Sequence, residues 1–127
     1  MPQKDVSLSD LQLAVMRALW RAERATTAEV HERVGKPRQL AYTTVSTLLT
    51  RLEKRGLVKS SKDQNERVFR ALVTENDVTS SMVSSLVDTL FRGDPSALVS
   101  HLVKEKDLDK EGIEAVRKLL AKEAKKS

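Results

Sequence analysis

The hydrophobic period of the chain changes at Gly56, and this change limits the folds that the sequence can adopt. Residues 41–58 (AYTTVSTLLTRLEKRGLV) have apolar side chains at helical intervals, on a stripe formed by Ala41, Val45, Leu48, Leu49 and Leu52. Residues 57–73 (LVKSSKDQNERVFRALV) instead interleave polar and apolar residues around the turn-forming sequence KDQNE. We therefore predict a helix that ends at Gly56 in a left-handed cap, followed by a β-hairpin. Phe69, Ala71 and Val73 are expected on the hairpin face that meets the helices.

Two more helices are predicted before this one. Two residue pairs have the spacing of a capping box, in which a hydroxyl at the helix start is followed three residues later by Glu or Gln: Ser9 with Gln12, and Thr26 with Glu29. The first helix is expected at about residues 10–23, and Gly35 and Pro37 are expected to end the second. Three helices followed by a basic hairpin predict a winged helix-turn-helix in residues 1–73, a mainly α fold with a small β-hairpin wing.

The outer face of the third helix carries short hydroxyl side chains, although Ser and Thr are mediocre helix formers. A helix that enters the major groove of DNA benefits from them, because long side chains would hold it away from the bases. We expect Thr43, Ser46 and Thr47 to lie near base edges, and the basic residues to lie near phosphates. The predicted DNA-binding residues are Thr43, Thr44, Ser46, Thr47, Thr50, Arg51, Lys54, Lys62, Arg67 and Arg70.

The positive charge of the chain is concentrated in its middle. The net charge is +5, and residues 33–73 contain ten basic and three acidic side chains, which gives +7. Residues 1–32 and 74–127 each carry −1. This distribution favours a polyanion-binding surface over the alternative, a solvated basic face.

Residues 74–127 predict a separate region of three amphipathic helices, with a break at the GDP sequence of residues 93–95 and a cap at Asp109. Their apolar stripes are too wide to be buried easily within one chain. We therefore predict a homodimer held by these helices; the alternative is that they pack against the chain's own N-terminal domain. The residues predicted at the dimer interface are Val78, Met82, Leu86, Leu90, Leu98, Leu102, Ile113, Val116 and Leu120.

Several classes of function are disfavoured by residues that the sequence lacks. It has no cysteine, which excludes thiolate metal sites and cysteine nucleophiles. It contains no GxxxxGK, GxSxG or HExxH motif, and its two histidines, His31 and His101, fall in different predicted domains. No apolar run approaches the ~20 residues of a membrane span, and MPQKDVSLSD has no apolar signal core. We expect a cytoplasmic protein that is not an enzyme, has no cofactor or metal, and does not insert into membranes.

The sequence resembles the penicillinase repressor family, the BlaI/MecI/CopY group of bacterial transcriptional repressors, over nearly its whole length. The segment that carries the resemblance most strongly is YTTVSTLLTRLEKRGLV at 42–58. The other segments are LSDLQLAVMRALW at 8–20, TTAEV at 26–30, RVF at 67–69, LFRGDPSALVSHLV at 90–103 and IEAVRKLL at 113–120. The resemblance implies a homodimer that represses promoters at palindromic operators, often for β-lactam resistance or copper homeostasis, with a sensor or protease as a further partner.

The sequence departs from the family pattern at informative positions. The copper-responsive branch has a cysteine-rich C-terminal motif, which is absent here. The β-lactam branch is released by proteolysis at an Asn-Phe bond, and His101-Leu102 stands in its place. Ala41 and Tyr42 open the recognition helix, and Ser46 replaces a longer basic residue of some members, so the operator sequence cannot be carried over. Two alternatives stay open: a winged-helix regulator released by a small ligand or partner protein, and a winged-helix protein-interaction module.

Overall fold

The structure is a computed structural model, which describes residues 7–105, 109–115, 117 and 118. The helices are α1 (Asp10–Ala22), α2 (Thr27–Val30), α3 (Tyr42–Lys54), α4 (Glu75–Leu90) and α5 (Pro95–Lys104), and residues 110–115 are also helical. The strands are β1 (Ala25–Thr26), β2 (Val58–Asp63) and β3 (Glu66–Ala71). The chain divides into two compact units, Met1–Met82 and Val83–Ser127. The predicted fold class, mainly α with a small β-hairpin wing, is confirmed.

Both predicted capping boxes are present. The hydroxyl of Ser9 accepts a hydrogen bond from the Gln12 amide at 3.1 Å, and the Gln12 side chain accepts one from the Ser9 amide at 3.0 Å. Thr26 and Glu29 make the same pair of bonds at 3.1 and 3.0 Å. Each box satisfies two amides that an α-helix leaves without a partner in its first turn, which explains why α1 and α2 begin where the sequence predicted.

The second helical segment does not end at Gly35, so this part of the prediction was wrong. It continues through a π-turn at His31–Gly35 and a 3-10 turn at Lys36–Arg38, and it ends at Gln39, which is left-handed with φ 57°. Gly35 itself is right-handed, with φ −72°. A Cβ atom at Gly35 would lie 2.5 Å from Cδ2 of His31 and 2.9 Å from Cγ2 of Val45. Glycine is therefore required here because this segment passes close to α3.

The predicted hairpin is present, and it forms part of a three-stranded antiparallel sheet with the order β1-β3-β2. Its turn residues, Gln64 and Asn65, have φ values of 51° and 68°, as in a type I′ turn. The sequence did not predict β1, which pairs Ala25 with Phe69 and Thr26 with Val68. A strand of two residues is too short to show an alternating pattern.

The core of the first unit is formed by all three N-terminal helices and by one face of the sheet. Phe69 is buried and Ala71 is half-buried, as predicted for the inner face of the hairpin. The indole Nε1 of Trp20 donates to the carbonyl of Val73 at 2.8 Å and holds the end of α1 against the segment that leads to α4. The largest fully buried side chains are Phe69, Met16, Leu19, Leu49, Leu52, Leu57, Val15, Val30, Val45, Val58 and Val78.

Helix α4 has two apolar sides, which the sequence prediction treated as one. Val78 is only 1% exposed within the core of the first unit, and Met82 packs against the same core. Leu86 and Leu90 are instead 41% and 67% exposed. Residues four apart in an α-helix are about 40° apart around its axis, so a run of such steps turns away from its starting face. Val78 is therefore a core residue, and its predicted place at a dimer interface is corrected.

The second unit contains the end of α4, α5 and the helical residues 110–115. The carboxylate of Asp94 accepts from the Ser96 amide at 3.0 Å and caps α5, and Asp109 accepts from the Gly112 amide at 2.8 Å, as predicted. Leu98, Leu102 and Ile113 are half-buried. The two remaining predicted interface residues, Val116 and Leu120, lie outside the described residues. Among the helices of the described ranges, none combines the length and apolar character needed to cross a membrane.

Candidate nucleic-acid interface

Helix α3 has one fully buried side and one hydrophilic side. Val45, Leu49 and Leu52 have no exposed surface and anchor the helix in the core. The opposite side is the α3 face, formed by Thr43, Thr44, Ser46, Thr47, Thr50, Arg51 and Lys54. Ser46 and Thr50 are half-buried on the flank near the hairpin, and the other members of this face are exposed. The structure therefore brings the seven predicted residues of this helix together on one surface.

Two threonine hydroxyls of the α3 face bond to the helix itself. Oγ1 of Thr47 donates to the carbonyl of Thr43 at 2.9 Å, and Oγ1 of Thr50 donates to the carbonyl of Ser46 at 3.0 Å. This bond is a known way for Thr to satisfy its proton within a helix. A phosphate oxygen can only accept, so these hydroxyls cannot donate to phosphate while the bonds last. They present a methyl group and an acceptor oxygen, which match the thymine methyl and the amino groups of adenine and cytosine in the major groove.

The N-terminus of α3 lacks a side-chain cap. Its N-cap residue is Ala41, and no side chain bonds to the first-turn amides from that position. Helices α1, α2, α4 and α5 each begin at a residue whose side chain does make such a bond: Ser9, Thr26, Thr74 and Asp94. Because a capping side chain would occupy amides that otherwise suit an anion, the bare end of α3 is open to a phosphate group.

The single carboxylate of α3, Glu53, is paired with the hairpin. Its Oε2 accepts from the hydroxyl of Ser60 at 2.5 Å and from the Ser60 amide at 3.1 Å, and its Oε1 accepts from Nη2 of Arg67 at 2.7 Å. The Ser60 hydroxyl, followed by the Ser60 amide and the charge of Arg67, holds the pKa of Glu53 below its usual value. Arg67 offsets the negative charge of Glu53. The charged side chains of the α3 face itself, Arg51 and Lys54, are both basic, so this face is positively charged.

Arg67 therefore joins the wing to α3, a contact that the sequence did not predict in addition to its predicted role as a phosphate contact. Its guanidinium also donates to the hydroxyl of Ser60 at 3.1 Å and lies 5.0 Å from the centroid of the Phe69 ring. The side chain is still 47% exposed. An arginine has five donors, so a phosphate contact remains compatible with these bonds.

The two other predicted wing residues lie on opposite sides of the hairpin. Lys62 pairs with Arg67 across the strands, and paired residues share one side of a sheet, so Lys62 lies on the side of α3. Arg70 pairs with Lys59 on the other side. Asp63 and Arg24 form an ion pair at 3.7 Å near that outer side. The structure thus brings Lys62 to the side of the α3 face and does not bring Arg70 there.

His31 positions the start of α3, a role that the sequence analysis did not predict. Its Nε2 lies 2.9 Å from the carbonyl oxygen of Leu40, and its ring makes an edge-on contact with Tyr42 at a centroid distance of 5.7 Å. A carbonyl only accepts hydrogen bonds, so Nε2 is the protonated nitrogen. His31 therefore fixes the turn that leads into α3. No pattern in the sequence indicates a contact between residues nine apart that are separated by a π-turn and a 3-10 turn.

A three-helix core, a small antiparallel sheet with a hairpin wing, and a third helix with a hydroxyl-rich basic face define a winged helix-turn-helix DNA-binding protein. Within the described ranges, no group of three or more His, Asp or Glu side chains is arranged to hold a metal ion.

Comparison with known proteins places the chain within this class. The family model for the penicillinase repressor matches residues 8–122. The transcriptional regulator BlaI of Mycobacterium tuberculosis is 35% identical over 116 residues, which cover 90% of this chain and 83% of that protein. The methicillin resistance regulatory protein MecI of Mammaliicoccus sciuri is 28% identical over 122 residues, which cover 96% of this chain and 99% of that protein.

Solved structures give the same assignment. The solution structure of the monomeric form of Bacillus licheniformis BlaI in complex with the blaP half-operator is 30% identical, with a TM-score of 0.51. The match covers 58% of this chain and 90% of the BlaI chain in that structure. The DNA-binding domain of the repressor BlaI has a TM-score of 0.52. The chain belongs to the penicillinase repressor family and is a DNA-binding transcriptional repressor.

Proposed function

We propose that this repressor acts as a homodimer on a palindromic operator, with α3 of each copy in a major groove. The observation that carries the proposal is the α3 face, which combines hydroxyl and basic side chains on a helix whose N-terminus has no side-chain cap. The one carboxylate of the helix is bound to the wing. Such a surface offers donors and positive charge to phosphates and short side chains to base edges, as a recognition helix requires.

The residues of this surface divide into two groups. Thr43, Ser46 and Thr47 lie in the N-terminal half of α3, the part of a recognition helix that contacts base edges in helix-turn-helix proteins. Thr44, Arg51, Lys54 and Lys62 surround them on the helix and on the wing, and we assign them to the DNA backbone. Among these, the basic side chains neutralise phosphates and fix the register of α3. Thr50, whose hydroxyl donates to the carbonyl of Ser46, offers the DNA a methyl group and an acceptor oxygen.

The second unit supplies the surface for dimerisation. Val83, Leu86 and Leu90 lie along one side of α4 and are 48%, 41% and 67% exposed, and Val103 of α5 is 42% exposed. An exposed row of large aliphatic side chains is typical of an interface between subunits. We propose a second copy of this chain as the partner, because a two-fold dimer presents two identical recognition helices to the two half-sites of a palindromic operator. The half-operator named for the B. licheniformis relative supports the same arrangement.

The regulated genes are proposed from the relatives. Those named above regulate methicillin resistance or are regulators of the BlaI type, so we propose that this repressor controls genes of β-lactam resistance in the bacterial cytoplasm. We infer no catalytic role for the chain.

Selection of genomic fragments by the purified full-length protein tests this function. We expect recovery of a few fragments that share a palindrome whose half-sites lie about one or more helical turns apart. The matched control is the Thr47→Ala/Lys54→Ala variant, which should retain the fold and lose the enrichment. Recovery of unrelated fragments by both proteins would contradict sequence-specific repression.

A further inference from the structure

A cleft in the first unit, on the outer side of α1, is lined by four arginines. Arg17 and Arg21 belong to α1, and Arg33 and Arg38 belong to the helical turns that follow α2. The cleft has a volume of about 480 Å³, and small apolar residues such as Ala14 and Val34 line it between the arginines. We call it the arginine cleft. Neither the recognition helix nor the wing contributes to it.

The four arginines have no carboxylate partner in the part of the chain that the structure describes. No carboxylate lines the cleft, and none of the ion pairs among these residues includes Arg17, Arg21, Arg33 or Arg38. Nη1 of Arg38 donates to the carbonyl of Val34 at 3.1 Å, which holds this side chain at the cleft.

Two acidic side chains close to Arg33 along the chain, Glu29 and Glu32, make other contacts. Glu29 lies close enough to Arg33 for the charges to interact, but its carboxylate is bound in the capping box with Thr26. Glu32 pairs with Lys36 at 2.6 Å. Apart from the interaction of Arg33 with Glu29, the described residues provide no counter-charge for the four arginines.

This concentration of positive charge is unfavourable for the free protein. Arg17 and Arg21 are one turn apart on the same side of α1, and like charges at that spacing repel each other. The last-turn position of Arg21 suits the negative end of the helix dipole, but it does not account for the other three arginines. A cleft with charges of one sign concentrates the electrostatic field, and an anion bound there relieves the repulsion.

The arginine cleft is separate from the surface that we assign to DNA. Met16 and Leu19 face the core that α1 shares with the buried side of α3, and Arg17 lies on the opposite side of α1. None of the residues that line the cleft belongs to the α3 face or to the wing. The contacts that we assign to the operator therefore use none of the four arginines.

We propose that the arginine cleft binds a small anion that carries two or more phosphate groups. A guanidinium group presents paired donors that match the oxygens of a phosphate, and four of them line an open cleft whose volume is within the usual range of small-molecule sites. The apolar side chains between the arginines suit the organic part of a phosphorylated ligand. This inference does not depend on the proposed operator, because no residue of the α3 face takes part.

Tripolyphosphate is the probe that tests the proposal, titrated into the full-length protein by isothermal calorimetry at low ionic strength. We expect one site in each chain, and binding weaker by about tenfold or more in Arg17→Gln/Arg21→Gln, since two charge-assisted bonds are lost. The matched control is Arg51→Gln/Lys54→Gln, which removes the same charge from the α3 face and should retain the site. The opposite pattern, with binding lost only in the control variant, would overturn the proposal.

Two further measurements do not depend on the stability of the variants. In the wild-type protein, tripolyphosphate should shift the NMR amide signals of Ala14, Ala18 and Val34 more than those of Thr43 and Thr47. Shifts confined to α3 would place the anion on the DNA surface and overturn the assignment. Citrate tests phosphate against carboxylate ligands: we expect it to bind the cleft more weakly. Equal or tighter binding of citrate, or no binding of either anion, would overturn the phosphate site.

Discussion

The carboxylate of Glu53 accepts a hydrogen bond from Nη2 of Arg67 at 2.7 Å and so joins the recognition helix to the wing. The same carboxylate holds both the hydroxyl and the amide of Ser60. These bonds give the hairpin a fixed position beside α3. They also leave the α3 face without a free negative charge that would repel phosphates.

We predict that the attachment of the wing weakens at acidic pH through Glu53. The pKa of Glu53 is lowered in the folded protein, chiefly by the Ser60 hydroxyl, so its contribution to stability is fully present above the unfolded value of about 4.3. This contribution is lost as the pH falls through the lowered value in the folded state, because the unfolded chain takes up the proton at a higher pH than the folded protein does. Thermal unfolding of Glu53→Gln between about pH 5 and about pH 3 should depend less on pH than that of the wild-type protein.

The control for this measurement is Glu66→Gln, which removes a carboxylate from the outer side of the same hairpin. Its unfolding temperature should follow the wild-type pH dependence more closely than that of Glu53→Gln. Identical pH profiles for the two variants would show that Glu53 does not have the role assigned to it.

Lys54 and Arg70 should differ in their effect on DNA affinity. Lys54 is the last residue of α3 and is exposed on the α3 face, so Lys54→Ala should weaken binding to operator and to scrambled duplex alike. It should also lower the slope of log affinity against log salt by about 0.9, the contribution of one phosphate contact. Arg70 lies on the far side of the hairpin, and Arg70→Ala should leave the slope nearly unchanged. A salt titration of both variants decides the point, and equal slopes would show that one side chain is wrongly placed.

Dimerisation should depend on the exposed row of α4. Leu86→Asp/Leu90→Asp places two charges in the proposed interface, and we expect light scattering to show a monomer that keeps its fold and binds operator more weakly. Leu72→Asp is the control, because Leu72 is 54% exposed on the first unit. It should leave the protein dimeric. A wild-type protein that is monomeric at micromolar concentration would contradict the proposed dimer.

Release from DNA should not use cleavage between His101 and Leu102. This bond lies inside α5, Pro95–Lys104, where the backbone must unfold locally before a protease can bind it. The His101 ring also lies 5.9 Å from that of Phe91, measured between centroids. Mass spectrometry of the repressor from induced cells should show this bond intact. A fragment that ends at His101 would refute the prediction.

The sequence predicts best where the interacting residues are close along the chain. The capping boxes of Ser9 and Thr26 each join residues three apart, and the α3 face follows from the helical period alone. The bonds of the Thr47 and Thr50 hydroxyls to carbonyls four residues earlier are also local. Because Thr side chains commonly bond to this carbonyl within a helix, these two bonds are predictable from the sequence.

Contacts between distant segments account for what the sequence did not predict. Arg67 meets Glu53 fourteen residues away, and Val78 enters the core of the first unit although its helix continues into the second. The arginine cleft was not predicted either. Arg17 and Arg21 lie in residues 1–32, whose charges nearly balance, whereas Arg33 and Arg38 lie in the basic residues 33–73. Only the packing of α1 against the turns after α2 brings these four side chains to one cleft.

The measurement that tests the account most directly is the affinity of Thr47 variants for operator and scrambled duplexes. If Thr47 contacts a base edge, Thr47→Ala should cost about 1–3 kcal/mol of operator binding and leave binding to scrambled DNA nearly unchanged. Thr47→Val keeps the methyl group and removes the acceptor oxygen, so it should retain the part of the affinity that comes from a thymine contact. Thermal melts confirm the fold of each variant. An equal loss of affinity for both duplexes, or no loss for either, would contradict the claim that α3 recognises the operator sequence.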